Sequence, residues 1–236
     1  MNRIKQVFDG KRALIPFVTG GDPDIQTTER LITALAASGA DMAEIGIPFS
    51  DPVAGGPALQ LADERALAGG CRVAELFEMV ARIRQQVTIP LLFRSYINPI
   101  FVYGPERFMA DCVRCGIDGV VIPDLPFEER GEVATACNAH GVALIPIVSP
   151  APATRLHQIA NAAEGFLYCM GDLGAVAPSV RQASALPIVT GYGAPDAETA
   201  DGVVVDTAIA ELVAEFGHES VAPVTALIQR IRGELV

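Results

Sequence analysis

Eight short apolar runs separated by helical segments predict that this chain folds as a single (β/α)8 barrel over residues 1–236. Two further observations point the same way. Ser38-Gly-Ala-Asp41, Cys115-Gly-Ile-Asp118 and His140-Gly-Val142 each put a glycine just past a helix and directly before a strand, so a helix-Gly-strand unit is visible three times. With 236 residues, half of them apolar, the chain is long enough for one sizeable core without a second domain.

The expected strands, in order, are Ala13–Val18, Asp41–Ile45, Ile89–Arg94, Gly119–Ile122, Val142–Ile147, Gly165–Cys169, Leu186–Thr190 and Gly202–Val205. Each is a β-rich apolar run of the length a strand buried on both faces needs. Helical periodicity fits Asp24–Ser38, Val73–Gln86, Pro105–Cys115, Phe127–His140 and Ala153–Ala162 between them, with Thr207–Phe216 and Ser220–Glu234 closing the chain. After Cys169 the rhythm tightens. The spans 170–185 and 191–201 leave room for little more than one helical turn each, which predicts shortened connections after strands six and seven.

Composition excludes several function classes. A formal charge of −11 opposes nucleic acid or an anionic membrane surface as partner. No apolar run reaches the ~20 residues that span a bilayer, and the first ten residues lack the apolar core of a secretory signal, so a cytoplasmic protein is expected. Five scattered cysteines do not form a disulfide framework. Cys112 and Cys115 make a C-x-x-C pair, but they sit on an amphipathic helix with no second ligand pair, and are read as packing residues.

In a barrel of this kind chemistry sits at the C-terminal ends of the strands. The residues there are Thr19 to Asp22, Glu44, Tyr96, Asn98, Asp124, Ser149, Tyr168, Asp172, Gly191 to Gly193, Asp206 and Thr207. They are carboxylates, phenols and glycines without a His or Cys ligand set, so no metal and no cofactor is expected. His140, His157 and His218 all fall on or near helices. Glu44 is the strongest acid/base candidate, because apolar neighbours on both sides raise a carboxyl towards neutrality. A carboxylate that merely caps or salt-bridges is the bland alternative. Tyr168 is either a substrate-contacting phenol or a packing residue. Gly191-Tyr192-Gly193 is either an anion-cradling turn or a simple tight turn.

Glu44-Ile-Gly-Ile-Pro-Phe-Ser-Asp-Pro-Val-Ala-Gly-Gly-Pro57 resembles the signature of the tryptophan synthase α subunit family. So do Pro16-Phe-Val-Thr-Gly-Gly-Asp-Pro23, Tyr96-Ile-Asn-Pro-Ile-Phe101, Pro123-Asp-Leu-Pro-Phe-Glu-Glu129 and Gly191-Tyr-Gly-Ala194, in the same order and spacing over roughly residues 8 to 230. The resemblance implies a (β/α)8 lyase that splits indole-3-glycerol phosphate by retro-aldol chemistry into indole and glyceraldehyde 3-phosphate. It also implies a PLP-bearing β-like subunit as partner. Glu44 matches the family's catalytic glutamate and Tyr168 the tyrosine beside the substrate, while Phe17, Tyr96 and Tyr192 match pocket walls.

Five positions depart from the family pattern. Gly55 replaces the second catalytic carboxylate of the family's Ala-Asp-Gly-Pro turn, the group thought to accept the indole N–H proton. In the segment Gly171-Asp-Leu-Gly-Ala-Val-Ala177, which aligns with a mobile loop, Val176 replaces a threonine and Ala177 a phosphate-contacting glycine. Asp206-Thr207 replaces the phosphate-binding Gly-Ser pair, and a carboxylate ~4 Å from a phosphate repels it by about 4 kcal/mol at an effective dielectric of ~20. The expectation is therefore a diverged lyase or aldolase using Glu44 on a substrate without the usual phosphate, bound by Phe17, Tyr96, Gly191, Tyr192, Gly193 and Thr207. One alternative is the conventional α chain, with Asp51 or Asp172 reaching in as the missing carboxyl. The other is a non-catalytic regulator that holds a β-like subunit through Phe49-Ser-Asp-Pro52.

Overall fold

The computed structural model describes residues 3–235 and is built of parallel strands alternating with helices. In chain order the elements are β1 (Ala13–Thr19), α1 (Ile25–Ala37), β2 (Ala43–Gly46), α2 (Pro57–Ala68), α3 (Val73–Ile83), β3 (Leu91–Arg94), α4 (Ile97–Tyr103), α5 (Pro105–Cys115) and β4 (Gly119–Val121). Then follow α6 (Gly131–His140), β5 (Ala143–Ile145), β6 (Ile147–Val148), α7 (Ala153–Asn161), β7 (Leu167–Cys169), α8 (Leu173–Ala183), β8 (Ile188–Gly191), β9 (Gly202–Val205), α9 (Thr207–Phe216) and α10 (Val221–Glu234).

The strand order β5-β4-β3-β2-β1-β9-β8-β7-β6 closes on itself, because β5 and β6 are one stave of the barrel interrupted at Pro146. Proline has no N–H to give to a ladder. Its carbonyl still accepts from the Tyr168 N–H at 3.0 Å, so the upper half of this stave turns from β4 towards β7. The result is nine parallel strands in a nearly closed (β/α)8 barrel, as expected.

Two layers of core follow from the alternation of side chains along each strand. Residues such as Leu14, Ile45, Phe93 and Val120 point outward against the helices. Ile15, Phe17, Met42, Leu92, Val121, Phe166, Tyr168, Val189 and Val204 fill the barrel interior. Gly116 and Gly141 end α5 and α6 in the left-handed conformation, as the helix-Gly-strand reading requires. Cys112 and Cys115 are buried on α5, with Cys112 in outright packing contact and its thiol pushed up by burial. None of the described helices is long and apolar enough to cross a membrane.

The connection after strand six corrects one expectation. It is not reduced to a single turn, because α8 runs for 11 residues and begins immediately after β7 at the Asp172 N-cap, whose carboxylate accepts from the Ala175 N–H at 3.0 Å. Leu173, Val176 and Val180, spaced for one helical face, bury against α7 and β7. The segment aligned with a mobile loop is therefore a packed helix, and Val176 belongs to its core side. The connection after β8 is short as expected, with only a 3-10 turn at Ala197–Thr199. Two helices, α2 and α4, were not anticipated from periodicity.

Candidate active site

At the C-terminal ends of the strands, residues one step beyond the inner core face into a cavity bounded by the β1, β2, β3, β7 and β9 ends and by the loop 52–56. Register explains who meets there. Phe17 pairs with Glu44 across β1 and β2, Glu44 with Leu92 across β2 and β3, and Arg94 with Gly46 two steps further up. A Cβ on Gly46 would fall 2.5 Å from the Phe17 ring, so the glycine is what lets that ring lie across the strand and form a wall.

Glu44 is wholly buried, and its partner is Arg94. One guanidinium nitrogen, Nη2, donates to Glu44 Oε2 and, at 3.0 Å, to the Tyr168 hydroxyl oxygen; Nη1 lies 3.5 Å from Asp206 Oδ2. The guanidinium carbon stands 4.3 Å from the centre of the Phe17 ring and 5.3 Å from that of Tyr168, within cation–π range of both. Burial pushes the Glu44 carboxyl up, Arg94 opposes that, and Asp206 adds to it. Arg94, buried between two carboxylates, is held protonated. Burial likewise raises the Tyr168 phenol, so it keeps its proton at neutral pH.

Arg94, not Glu44, forms the cavity wall at this point. Sequence reading passed over it because it ends the apolar run Leu91-Leu92-Phe93 and counted as strand. The signal was available: Leu92 faces inward, so period 2 turns Arg94 inward as well. Among the described residues, Glu44 Oε1, Arg94 Nε and Thr19 Oγ1 are buried without a hydrogen-bond partner. With Oε2 pinned by Arg94, Oε1 is the glutamate oxygen left without a partner.

The other expected residues divide into two groups. Phe17, Tyr96, Tyr168, Asp206 and Thr207 line the cavity. The Tyr96 hydroxyl accepts from the Ala54 N–H at 2.9 Å, and its ring lies 5.3 Å from that of Phe49, so it also fixes the loop 52–56. Gly191, Tyr192 and Gly193 lie outside the cavity lining; Tyr192 is exposed and donates its hydroxyl to Glu234 on α10 at 2.8 Å. Asp51, expected as a stand-in carboxyl, is exposed and accepts from Ser50 at 2.6 Å; Asp172 is occupied as the α8 cap. Asp22 forms a two-bond ion pair with Arg65 at 2.8 and 2.7 Å, and Asp124 accepts from the Ile97 N–H at the start of α4.

Asp206 sits where an anion would bind. It is the N-cap of α9, and its Oδ1 accepts from the Thr207 N–H at 2.6 Å while Oδ2 turns towards Arg94. The positive end of α9 and the one cation of the cavity are both engaged by this carboxylate.

A second carboxyl in the cavity escaped sequence reading altogether. Asp63, on α2, is 8% exposed and lines the same space as Gly55 and Leu59. Its pKa is raised to about 7, chiefly by burial and further by Asp22, against a hydrogen bond from the Phe49 backbone. The unfolded chain releases this proton near 4 and the folded chain only near 7, so Asp63 weakens the fold progressively as pH rises through that window. Asp63→Asn is therefore expected to gain stability over the parent by roughly 2 kcal/mol between pH 4 and pH 8, allowing for water at the cavity mouth. Thermal melts of both proteins at the two pH values measure it, and an equal gap at both would refute it.

The sequence profile of the family described as Tryptophan synthase alpha chain matches residues 4–232. This chain belongs to the tryptophan synthase alpha chain family. Relatives of that name include one from Geotalea uraniireducens, 41% identical over 92% of this chain and 91% of its own, and one from Geobacter sulfurreducens, 39% identical over 98% and 99%. Among solved structures, the tryptophan synthase alpha subunit of Legionella pneumophila superposes with a TM-score of 0.90 at 34% identity, covering 100% of this chain and 98% of its own. A chain of the tryptophan synthase complex from Pyrococcus furiosus gives 0.87 at 30%, covering 94% and 99%. Arg94, Asp63 and Asp206 are thus features of this chain's pocket set within a family barrel.

Proposed function

We propose that the chain is a carbon–carbon lyase that cleaves an indolyl-glycerol substrate by a retro-aldol reaction, with Glu44 as the acid/base group. The observation that carries this reading is a fully buried Glu44 directly behind the Arg94 wall of the cavity, whose Oε1 has no partner while Oε2 is fixed by Arg94. Protonated Oε1 gives its proton to the ring carbon that bears the glycerol chain. The adjacent side-chain hydroxyl then loses its proton to the same carboxylate as the carbon–carbon bond breaks. The bonding pair returns to the ring, an aldehyde forms, and no net proton is consumed. Tyr168, whose oxygen already accepts from Arg94, keeps its own proton and donates a hydrogen bond to the hydroxyl oxygen that becomes the aldehyde.

Two substrates fit. Relatives 35–41% identical and named tryptophan synthase alpha chain support indole-3-glycerol phosphate itself, yielding indole and glyceraldehyde 3-phosphate. Asp206 at the α9 N-terminus supports the same framework without its phosphate. Parallel assays of indole release from the phosphorylated and dephosphorylated compounds separate them. The expected result is release from both with kcat/KM values within about tenfold, since Asp206 already takes Arg94 and the first N–H of α9. A preference of about a thousandfold for the phosphorylated compound would reject the phosphate-free reading, and no indole from either would reject the lyase.

The neighbouring solved structures include tryptophan synthase complexes from Pyrococcus furiosus and M. tuberculosis. That supports a PLP-dependent β-like subunit as partner for this chain, with the segment 49–52 at the contact. Co-purification of the two tests it, and a chain that stays monomeric beside a β subunit would count against it.

A further inference from the structure

We infer that Asp63 is the cavity's recognition group for the donor edge of a flat, mostly apolar ring, taking an N–H or O–H of the ligand on its carboxylate. The inference goes beyond the lyase reading in naming a residue and a ligand edge, and it stands or falls by binding, not by turnover.

The lining on this side is apolar and aromatic, with Phe17, Ile47, Leu59, Tyr96 and Val121 facing one another. A planar ring fits such walls, and any polar edge it carries must find a partner there or stay unpaired. The loop above offers no side chain for that purpose, since it reads Ala54-Gly55-Gly56. The Tyr96 hydroxyl oxygen is taken by the Ala54 N–H. Asp206 is taken by Arg94 and the start of α9. Asp63 is the remaining carboxyl of the lining, and no basic side chain forms an ion pair with it among the described residues.

Its placement is fixed by the helix. Pro57 occupies the first turn of α2, and Leu59 and Asp63 are four residues apart, on one face towards the cavity, with Ala62 and Ala66 packed behind. Arg65, two residues on, is turned to Asp22 instead, with Nε and Nη2 both donating to that carboxylate. The charged and titratable groups that face Asp63 or share its cavity are Asp22 after β1, Tyr96 at the start of α4, Arg65 on α2 itself, Arg94 at the end of β3 and Asp206 before α9. Arg65 and Arg94 are each held by other carboxylates and the rest are acids or a neutral phenol, so beyond the hydrogen bond that Asp63 takes from the Phe49 backbone its acceptor capacity is open to a donor from the ligand. Burial without a counter-charge keeps its proton on to about pH 7, which makes the acceptor strength of this group pH-dependent near neutrality.

The test compares the binding of indole with that of 1-benzofuran, a ring of the same shape in which an ether oxygen replaces the N–H. Ligand-observed NMR or calorimetry on the whole chain, the Asp63→Leu variant and the Asp63→Asn variant gives the ratio of affinities. The parent is expected to prefer indole by about tenfold at pH 8.5, where the carboxylate is ionised, and by less at pH 5.5. Asp63→Leu should bind both rings alike at either pH. Asp63→Asn, which keeps a carbonyl acceptor and the cavity shape, should retain a smaller preference that no longer changes with pH, and it covers the case in which the leucine variant misfolds. Equal binding of the two rings by the parent, binding of neither, or a pH-dependent preference that survives in Asp63→Asn would overturn the inference. Because no reaction is needed, a protein that fails to release indole from any substrate still answers the question.

Discussion

Replacing Arg94 by methionine is expected to destabilise the protein by about 3–5 kcal/mol at pH 7, the cost of leaving one member of a buried ion pair without the other. Glu44 is wholly buried and the Arg94 side chain only 13% exposed, so this pair falls under the rules for interiors and not under the small values of surface bridges. Methionine fills much of the space along Phe17 and Tyr168 but offers no donor. Glu44 must then bind a proton or remain as an uncompensated charge. The sign with pH follows from that choice. Without Arg94 the folded-state pKa of Glu44 rises further above its unfolded value, and stability is lost as pH climbs above about 4.5. Urea melts should accordingly show a smaller deficit at pH 4 than at pH 8. Glu44→Leu combined with Arg94→Met removes both charges, and most of the lost stability should return. A single variant that costs under about 1 kcal/mol, or a double variant that costs the sum of the two singles, would show that the pair is not coupled in this way.

Glu44→Gln is expected to lower kcat for indole release by about 10²–10⁴ while leaving the fold close to intact. Glutamine presents the same shape and still accepts a hydrogen bond from Arg94, which retains Asp206 as its counter-charge. What is lost is the exchangeable proton on Oε1. The decisive comparison is with Glu44→Asp, which keeps a titratable carboxyl but withdraws it by one methylene. It should recover part of the rate and keep a pH profile, whereas the glutamine variant should have a flat one. Turnover by Glu44→Gln equal to the parent's would remove Glu44 from the chemistry and leave it as the residue that positions Arg94.

Much of the barrel was legible in the sequence because parallel strands buried on both faces are written as continuous apolar runs, and the glycine stops mark their spacing. Glu44 was legible for the same reason, as a lone carboxyl inside such a run. Arg94 was equally exposed to view but was counted with its strand, although the inward turn of Leu92 two residues earlier already decided its direction. Asp63 was hidden for a different cause. Its helix buries only Ala62, Asp63 and Ala66, so it has no apolar stripe from which a period could be read. The reverse error occurred at α8, where Leu173, Val176 and Val180 do carry the stripe but the span 170–185 was taken as too short for more than one turn. Tyr192 lies outside the cavity because the inward positions of β8 are Val189 and its period-2 neighbours, which send residue 192 to the outer side.

Asp206 has a further consequence that concerns competition instead of contact. It is a carboxylate covalently attached at the N-terminal end of α9, so its local concentration is set by the length of one side chain and does not vary with the surroundings. On the phosphate-free reading proposed above, such a tethered rival raises the apparent dissociation constant of every competing anion by one fixed factor, which excess ligand can offset but a change of ligand cannot.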